Sequence, residues 1–269
     1  MKTQPPDVQA RLRKILEGLR LPFLADELAK RMEAAGQAEA LPTVLQLLEL
    51  EAGERHERKV ARLLKASQLP PAKTFATLDE TVFPRPLVQK LRQLAESGFP
   101  DDALNVLLFG LPGGGKTHAA CALGHALVQK GYSVLFTPTF RLVQELLAAK
   151  RDLALPRALR KLDLFDAIIL DDLGYVQQAP EEVEVLFTLL AERYERRSLV
   201  ITSNLVFSAW DRIFKNPMTT AAAIDRLVHH AVILEFDVES YRDPRRQKGP
   251  RSSTAVTRKP EVEPTTTPS

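Results

Sequence analysis

Lys116, Thr117, Asp171 and Asp172 are the residues of this chain whose types and spacing point most directly to chemistry. The first two close the stretch "NVLLFGLPGGGKTH", Asn105 to His118, where Gly110, Gly115, Lys116 and Thr117 fit the pattern G-x-x-x-x-G-K-[ST]. A run of glycines alone would suit a flexible joint equally well. Here an apolar run precedes it and a helical pattern follows, which a joint does not explain. Glycines let backbone N–H groups turn inward on a phosphate with no Cβ in the way. A helix starting near Lys116 points its positive end at the same anion. Gly110, Leu111, Pro112, Gly113, Gly114, Gly115, Lys116, Thr117 and His118 are therefore expected to hold a nucleotide, with ATP and Mg2+ as cofactors. In that role Lys116 spans the β- and γ-phosphates and the Thr117 hydroxyl ligates the magnesium. In "DAIILDD", Asp166 to Asp172, an apolar run ends in two carboxylates. The first, Asp171, suits the magnesium shell, and the second, Asp172, suits a base that orients and deprotonates an attacking water. Two aspartates at a strand end also serve simply to cap a turn, but their place after the glycine loop favours catalysis.

Other polar residues carry weaker signals. "ITSN" ends a further apolar run, which would bring Thr202 and Asn204 near the γ-phosphate, although an Asn after a strand is more often a turn residue. Phosphoryl transfer gains from a cation on the transferring group. No arginine follows the loop closely, so one is expected from a neighbouring subunit, with Arg193, Arg196, Arg197, Arg226 and Arg242 as candidates. His229 and His230 are adjacent and lack metal-ligand spacing with a third partner, which favours a packing or surface role. Cys121 reads as core, and Trp210 as an anchor for the helix "SAWDRIF".

The elements that must position these residues are legible as patterns. "NVLLFG", "SVLFT", "DAIILDD", "SLVITSN" and "AVILEF" read as strands, alternating with helical segments that begin after the glycines, at "FRLVQELLAAK" with Thr139 as its cap, and at "PEEVEVLFTLLAERYERR" with Pro180 in the first turn. Near-continuous apolar strands alternating with helices indicate a parallel sheet covered on both faces. Before this lies a helical part. Val8, Leu12, Ile15, Leu16 and Leu19 share one helical face, a second helix follows Pro22, a third starts near Pro42, and a fourth carries Val60, Leu63 and Leu64. "LPPAK", Leu69 to Lys73, ends this part. The expected division is a helical domain over 1–68, an α/β domain over 69–242 and a disordered basic tail over 243–269.

Charge is uneven. Between Arg55 and Lys73 there are six Lys/Arg against the single acid Glu57, and from Tyr241 onward seven against three. A mildly acidic middle with basic attachments suggests a polyanion held by the attachments, against the plainer alternative of solvated helix faces. Arg55, Arg58, Lys59, Arg62 and Lys65 are the candidate DNA contacts. One cysteine permits no internal disulfide, and the N-terminus lacks a long apolar run, so a cytoplasmic protein is expected.

Longer stretches carry a resemblance. "LPFLADELAKR", "NVLLFGLPGGGKTHAACALGHAL", "AIILDDLGY", "LFTLLAERYERRSLVITSNLVFSAW" and "AAAIDRLVHHAVILEF" with "SYR" resemble the IstB transposition helper ATPases, within the AAA+ group and close to the helicase loader DnaC. The resemblance runs from about residue 10 to Arg242 and is most specific at "ERYERRSLVITSNL" and "DRLVHHA". It implies an AAA+ P-loop NTPase with a five-stranded parallel sheet, preceded by a small all-helical domain. It also implies an ATPase that binds double-stranded DNA with little regard to sequence, multimerises on it, selects or remodels the target and recruits a partner transposase. By resemblance Gly110 to Thr117 is the Walker A loop, Asp171–Asp172 the Walker B pair and Asn204 sensor 1. Arg226 matches an arginine finger, and Arg242 a further basic residue facing nucleotide. The chain departs from the wider pattern in two places. Asp172 stands where most AAA+ proteins have Glu, which implies slow hydrolysis, and the stretch past Phe236 is too short for a C-terminal helical lid. A DnaC-like helicase loader is the alternative, since it would use the same ATP site. A passive ATP switch and a small-molecule kinase are the rivals of other classes, and the second would need an arginine-bearing lid that the sequence does not display.

Overall fold

Five apolar runs form one sheet, the central ones buried on both faces because they are too uniformly apolar to tolerate a solvated one. In a computed structural model of the chain, residues 6–174, 179–214 and 216–236 are described, with side chains from Val8 onward. The strands are β1 (Asn105–Gly110), β2 (Val134–Pro138), β3 (Ala167–Leu173), β4 (Ser198–Ser203) and β5 (Ala231–Phe236). They lie in the order β2-β3-β4-β1-β5, every pair parallel. The expected parallel five-stranded sheet is what the chain adopts.

Helices cover both faces. On one side α4 (Arg85–Glu96) and α5 (Lys116–Gln129) pack over Val106, Leu108, Ile169 and Val200. On the other, α6 (Thr139–Arg151), α7 (Leu155–Leu162), α8 (Pro180–Arg193), α9 (Asp211–Phe214) and α10 (Pro217–Val228) cover Leu107, Phe109, Ile168 and Leu170. Trp210 is buried in this second core beside Phe109 and Phe207, but "SAWDRIF", expected as one helix, divides into a 3-10 turn and the short α9. Cys121 is fully buried on α5.

The N-terminal part forms a small bundle of α1 (Pro6–Gly18), α2 (Pro22–Ala34) and the first half of α3 (Leu41–Ser67) around Leu12, Leu16, Leu41 and Leu45. Here the structure corrects the expectation of four helices. The third and fourth are one continuous helix of 27 residues. The helix runs through Gly53 near its centre, where an added Cβ would meet nothing within 4 Å, so this glycine is not there to admit a close neighbour. The far half of α3 brings Val60 into the ATP-domain core. A second correction concerns Thr139. It does not cap α6, whose cap position is Pro138; its hydroxyl instead donates to the carbonyl of Asp171 at 2.9 Å. The expected basic tail and the expected absence of a lid fall in 237–269, outside the described residues, as does Arg242. Among the described residues no helix is long and apolar enough to cross a membrane.

Candidate functional site

Parallel strands all end at the same edge of the sheet, and ligands of such sheets gather there. Because β4 lies between β1 and β3, its last residues stand between the glycine loop and the aspartate pair. A cavity of about 480 Å³ opens at this edge, lined by Pro112 to His118, Asp172 and Asn204. The opposite wall comes from Lys73, Thr77, Leu78, Asp79 and Phe83, in the segment between α3 and α4.

The loop is held in shape from several directions. Gly113 and Gly115 adopt left-handed φ of +80° and +88°. A Cβ on Gly115 would come within 2.8 Å of the Phe83 ring, so the loop and the opposite wall fit only around glycine. Gly110 and Leu111 stand outside the cavity lining. A Cβ on Gly110 would meet the Phe236 carbonyl at 2.3 Å, so this glycine serves the close approach of β5. Lys116, only 5% exposed, donates from Nζ to the carbonyls of Gly110 at 2.7 Å and Leu111 at 2.9 Å. Burial pushes its pKa below the usual lysine value, while Asp172 and Asp171 pull the other way. A buried ammonium held by carbonyls at the mouth of α5, among inward-turned glycines, fits a polyphosphate.

The aspartates are organised by Thr202. Its hydroxyl donates to Asp171 Oδ1 at 2.7 Å and accepts the Asp172 N–H at 2.8 Å. The same Asp171 oxygen accepts the Thr117 hydroxyl at 2.8 Å. Thr117 and Asp171, 54 positions apart, thus touch. A hydroxyl beside a carboxylate is the oxygen set that a magnesium ion takes from a phosphate-loop protein, so the donors present fit Mg2+. Between Leu170 and Leu173 the pairing of β3 with β4 shifts register, and Asp172 takes a left-handed φ of +58°. The irregularity buries Asp171 and turns Asp172 outward to line the cavity. Bulges re-aim side chains in this way beside reactive sites. Sequence patterns located Thr202 at the strand end but carried no sign that it would bridge both carboxylates.

The remaining candidates separate. Asn204 lines the cavity. His118 lines it too, yet its Nε2 lies 3.1 Å from both the Thr77 hydroxyl and the Thr74 carbonyl, so it fastens the opposite wall to α5. Arg193 is withdrawn as a transferred-phosphate cation. It is buried, and its guanidinium donates to the carbonyls of Leu162, Phe165 and Ser198, each at 3.0 Å. Arg196 and Arg197 are paired with Asp163 and Asp166 at 2.7 and 2.8 Å. Arg226 lies on α10, outside the cavity lining, with its guanidinium 4.7 Å above the Phe187 ring and bonded to the Ala222 carbonyl. Arg55, Arg58, Lys59, Arg62 and Lys65 are all exposed on α3, and Arg55 and Arg58 share Glu51 at 2.6 and 3.7 Å.

A parallel sheet with a glycine-rich phosphate loop after β1 and an aspartate pair at the end of β3 defines an ATP-binding protein of the AAA+ P-loop class. Solved structures agree on the fold. AMPPCP-bound DnaA from Aquifex aeolicus superposes with a TM-score of 0.53 over 64% of this chain and 52% of its own, at 16% identity. DnaI superposes with a TM-score of 0.53 over 63% and 95%, at 19% identity. Sequence narrows the class: residues 14–249 match the family described as IstB-like ATP binding protein, and the chain belongs to that family. An insertion-sequence ATP-binding protein of Sinorhizobium fredii (strain NBRC 101917 / NGR234) is 44% identical over 93% of this chain and 87% of the relative. The IS21 ATP-binding protein of Pseudomonas aeruginosa is 36% identical over 86% and 88%.

Proposed function

We propose that this protein is a DNA-remodelling ATPase of an insertion sequence, which multimerises on double-stranded DNA, selects or remodels the target, and recruits a partner transposase. The observation that carries the reading is the bond chain Thr117–Asp171–Thr202–Asp172, which joins the phosphate loop to the acidic pair around one cavity. Membership of a family whose relatives are named for insertion sequences favours transposition over helicase loading. In this reading Lys116 and the loop N–H groups hold the phosphates, and Thr117 and Asp171 would hold Mg2+. The ion, when bound, supplies neutralisation of phosphate charge. Asp172 orients water at the γ-phosphate and accepts its proton, and Asn204 donates a hydrogen bond on that side. The one-carbon-shorter side chain of Asp172 keeps turnover slow. Arg226, half-buried on α10 over the Phe187 ring of α8, acts on the ATP of a neighbouring subunit. Arg55, Arg58, Lys59, Arg62 and Lys65 meet DNA phosphates without reading bases.

The test is ATP turnover by the purified protein with and without duplex DNA, alongside electron microscopy of the same samples. Turnover raised by DNA, and nucleotide-dependent rings or spirals along it, are the expected results. Absence of turnover in both conditions would leave a passive ATP switch, and ATP-independent assembly would sever nucleotide from multimer.

A further inference from the structure

The two histidines that seemed to lack a third partner have one. Glu195, in the turn between α8 and β4, and His229 and His230, between α10 and β5, offer ligand atoms that all lie within 4.8 Å of one another. This is the edge of the sheet opposite the nucleotide cavity, where the strands begin. The geometry points to a binding site for a borderline divalent metal ion, of which Zn2+ is the representative, formed by His229 Nδ1, His230 Nε2 and a Glu195 carboxylate oxygen.

The distances distinguish a ligand set from an ordinary ion pair. A carboxylate bonded to a protonated imidazole sits at about 2.7–2.9 Å. Here Glu195 Oε1 is 3.4 Å from His229 Nδ1 and 3.8 Å from His230 Nε2. Ligands on a tetrahedral Zn2+, with bonds of about 2.0–2.1 Å, stand about 3.3–3.4 Å apart, as tetrahedral geometry requires. The Glu195–His229 separation is thus that of two ligands on one ion, the Glu195–His230 separation is about 0.4 Å longer, and all three ligand atoms lie within 4.8 Å, close enough for side-chain rotation to gather them on an ion. Two imidazoles and one carboxylate, with a fourth position open to solvent, are also a donor set that suits zinc, and nitrogen donors disfavour Mg2+ and Ca2+.

The donors are carried by fixed backbone. Glu195 holds a left-handed φ of +55°, uncommon for a residue with a side chain. Its turn is closed by the N–H groups of Arg196 and Arg197 on the Arg193 carbonyl, and Arg193 is itself buried. The His229 N–H bonds the Asp225 carbonyl at 3.0 Å, and the His230 carbonyl accepts the Asn105 N–H at 2.8 Å. The two rings converge, with centroids 4.4 Å apart. The Tyr194 hydroxyl hydrogen-bonds His229 Nδ1 at 3.0 Å, a bond that an ion at this nitrogen would displace. An ion here would clasp the α8–β4 turn to the C-terminal end of α10, one helical turn beyond Arg226.

The experiment titrates tag-free protein, free of nucleotide, with ZnCl2 by calorimetry, and follows thermal unfolding and Co2+ visible spectra in parallel. One ion per chain, a raised melting temperature and the visible bands of tetrahedral Co2+ are expected. Glu195→Gln and His230→Ala should each weaken affinity by about tenfold or more, the scale on which metal sites respond to lost partners. Both residues are exposed, so the metal-free variants should melt as the wild type does. His56→Ala, at a histidine on α3 that bonds the Gln129 carbonyl and lies outside the cluster, should bind as the wild type does. No saturable binding, binding unchanged in both site variants, or only octahedral Co2+ spectra would overturn the proposal.

Discussion

Replacing Thr202 with Val removes one oxygen and keeps the shape, which isolates the hydroxyl that bridges the two aspartates. Two bonds are lost, at 2.7 Å to a carboxylate and 2.8 Å from a backbone N–H. A hydrogen bond to a charged group contributes about 1.5–3 kcal/mol and a neutral one about 1 kcal/mol. Thr202 is fully buried, so water does not replace them. The expected destabilisation is about 3 kcal/mol, out of a total of about 5–15 kcal/mol for a folded domain, so the variant still folds. In a domain of this size that corresponds to a melting temperature lower by about 6–12 °C. Loss of the bridge also frees the Asp172 backbone from its left-handed setting. ATP turnover should therefore fall by at least about tenfold, equivalent to about 1.4 kcal/mol of barrier, with less change in nucleotide affinity. Thr202→Ser, which keeps the hydroxyl, should recover most of the turnover. The assays are denaturant unfolding, nucleotide titration and steady-state hydrolysis. A Thr202→Val protein within about 0.5 kcal/mol of wild type, the ordinary range for an inconsequential surface change, would refute the network argument.

Arg226→Ala should bind ATP normally yet lose assembly-dependent hydrolysis, and mixing it with Lys116→Ala should restore some turnover; no recovery in labelled mixed assemblies would put Arg226 outside a shared site. Arg193→Leu should cost about 3–5 kcal/mol, because three carbonyls lose a charged donor, while leaving nucleotide affinity intact in the protein that remains folded; an unchanged denaturation midpoint would contradict this. Burial pushes the Cys121 thiol up to about 12. The folded protein should then resist thiol reagents at about pH 8.5, where an exposed thiol is half ionised, and react on unfolding; rapid labelling of the native protein would be the contrary result. Alanine at Arg58, Lys59 and Arg62 together should weaken binding equally on unrelated duplexes and flatten the salt dependence, and survival of both would make that face of α3 a solvated one.

The parts of the fold that were legible are those where one interaction dominates. The central strands β1, β3 and β4 are buried on both faces and their apolar uniformity follows from that, whereas the edge strand β5 leaves Ile233 and Glu235 exposed. The phosphate loop is legible because Gly113 and Gly115 occupy backbone conformations that other residues resist. What stayed hidden depends on pairing across the chain. The length of α3 is such a case: its solvated middle around Gly53 has no apolar face, so the period lapses where the helix does not. The outer wall of the cavity, Lys73 to Phe83, has neither period nor motif. The register shift at Asp171–Asp172 arises between β3 and β4 and has no local signature. Glu195 reaches His229 and His230 only because β4 and β5 flank β1 and α8 packs against α10, which brings the two turns together. Arg193 looked like any surface arginine because the carbonyls that hold it belong to other segments.

The unbroken α3 has a mechanical consequence. A helix of 27 residues is about 40 Å long, at about 1.5 Å per residue. One end is embedded in the small bundle through Leu41 and Leu45, and the other in the ATP domain through Val60. It therefore has the form of a lever arm that bears on α5 and β2 near Val60. A tilt of about 5° at Val60 would swing Leu41, about 29 Å away, through about 2.5 Å. Small rotations within the ATP domain would thereby become atomic-scale strokes of the N-terminal bundle. The wall that faces the glycine loop, from Lys73 to Phe83, is strung directly from the end of the same rod.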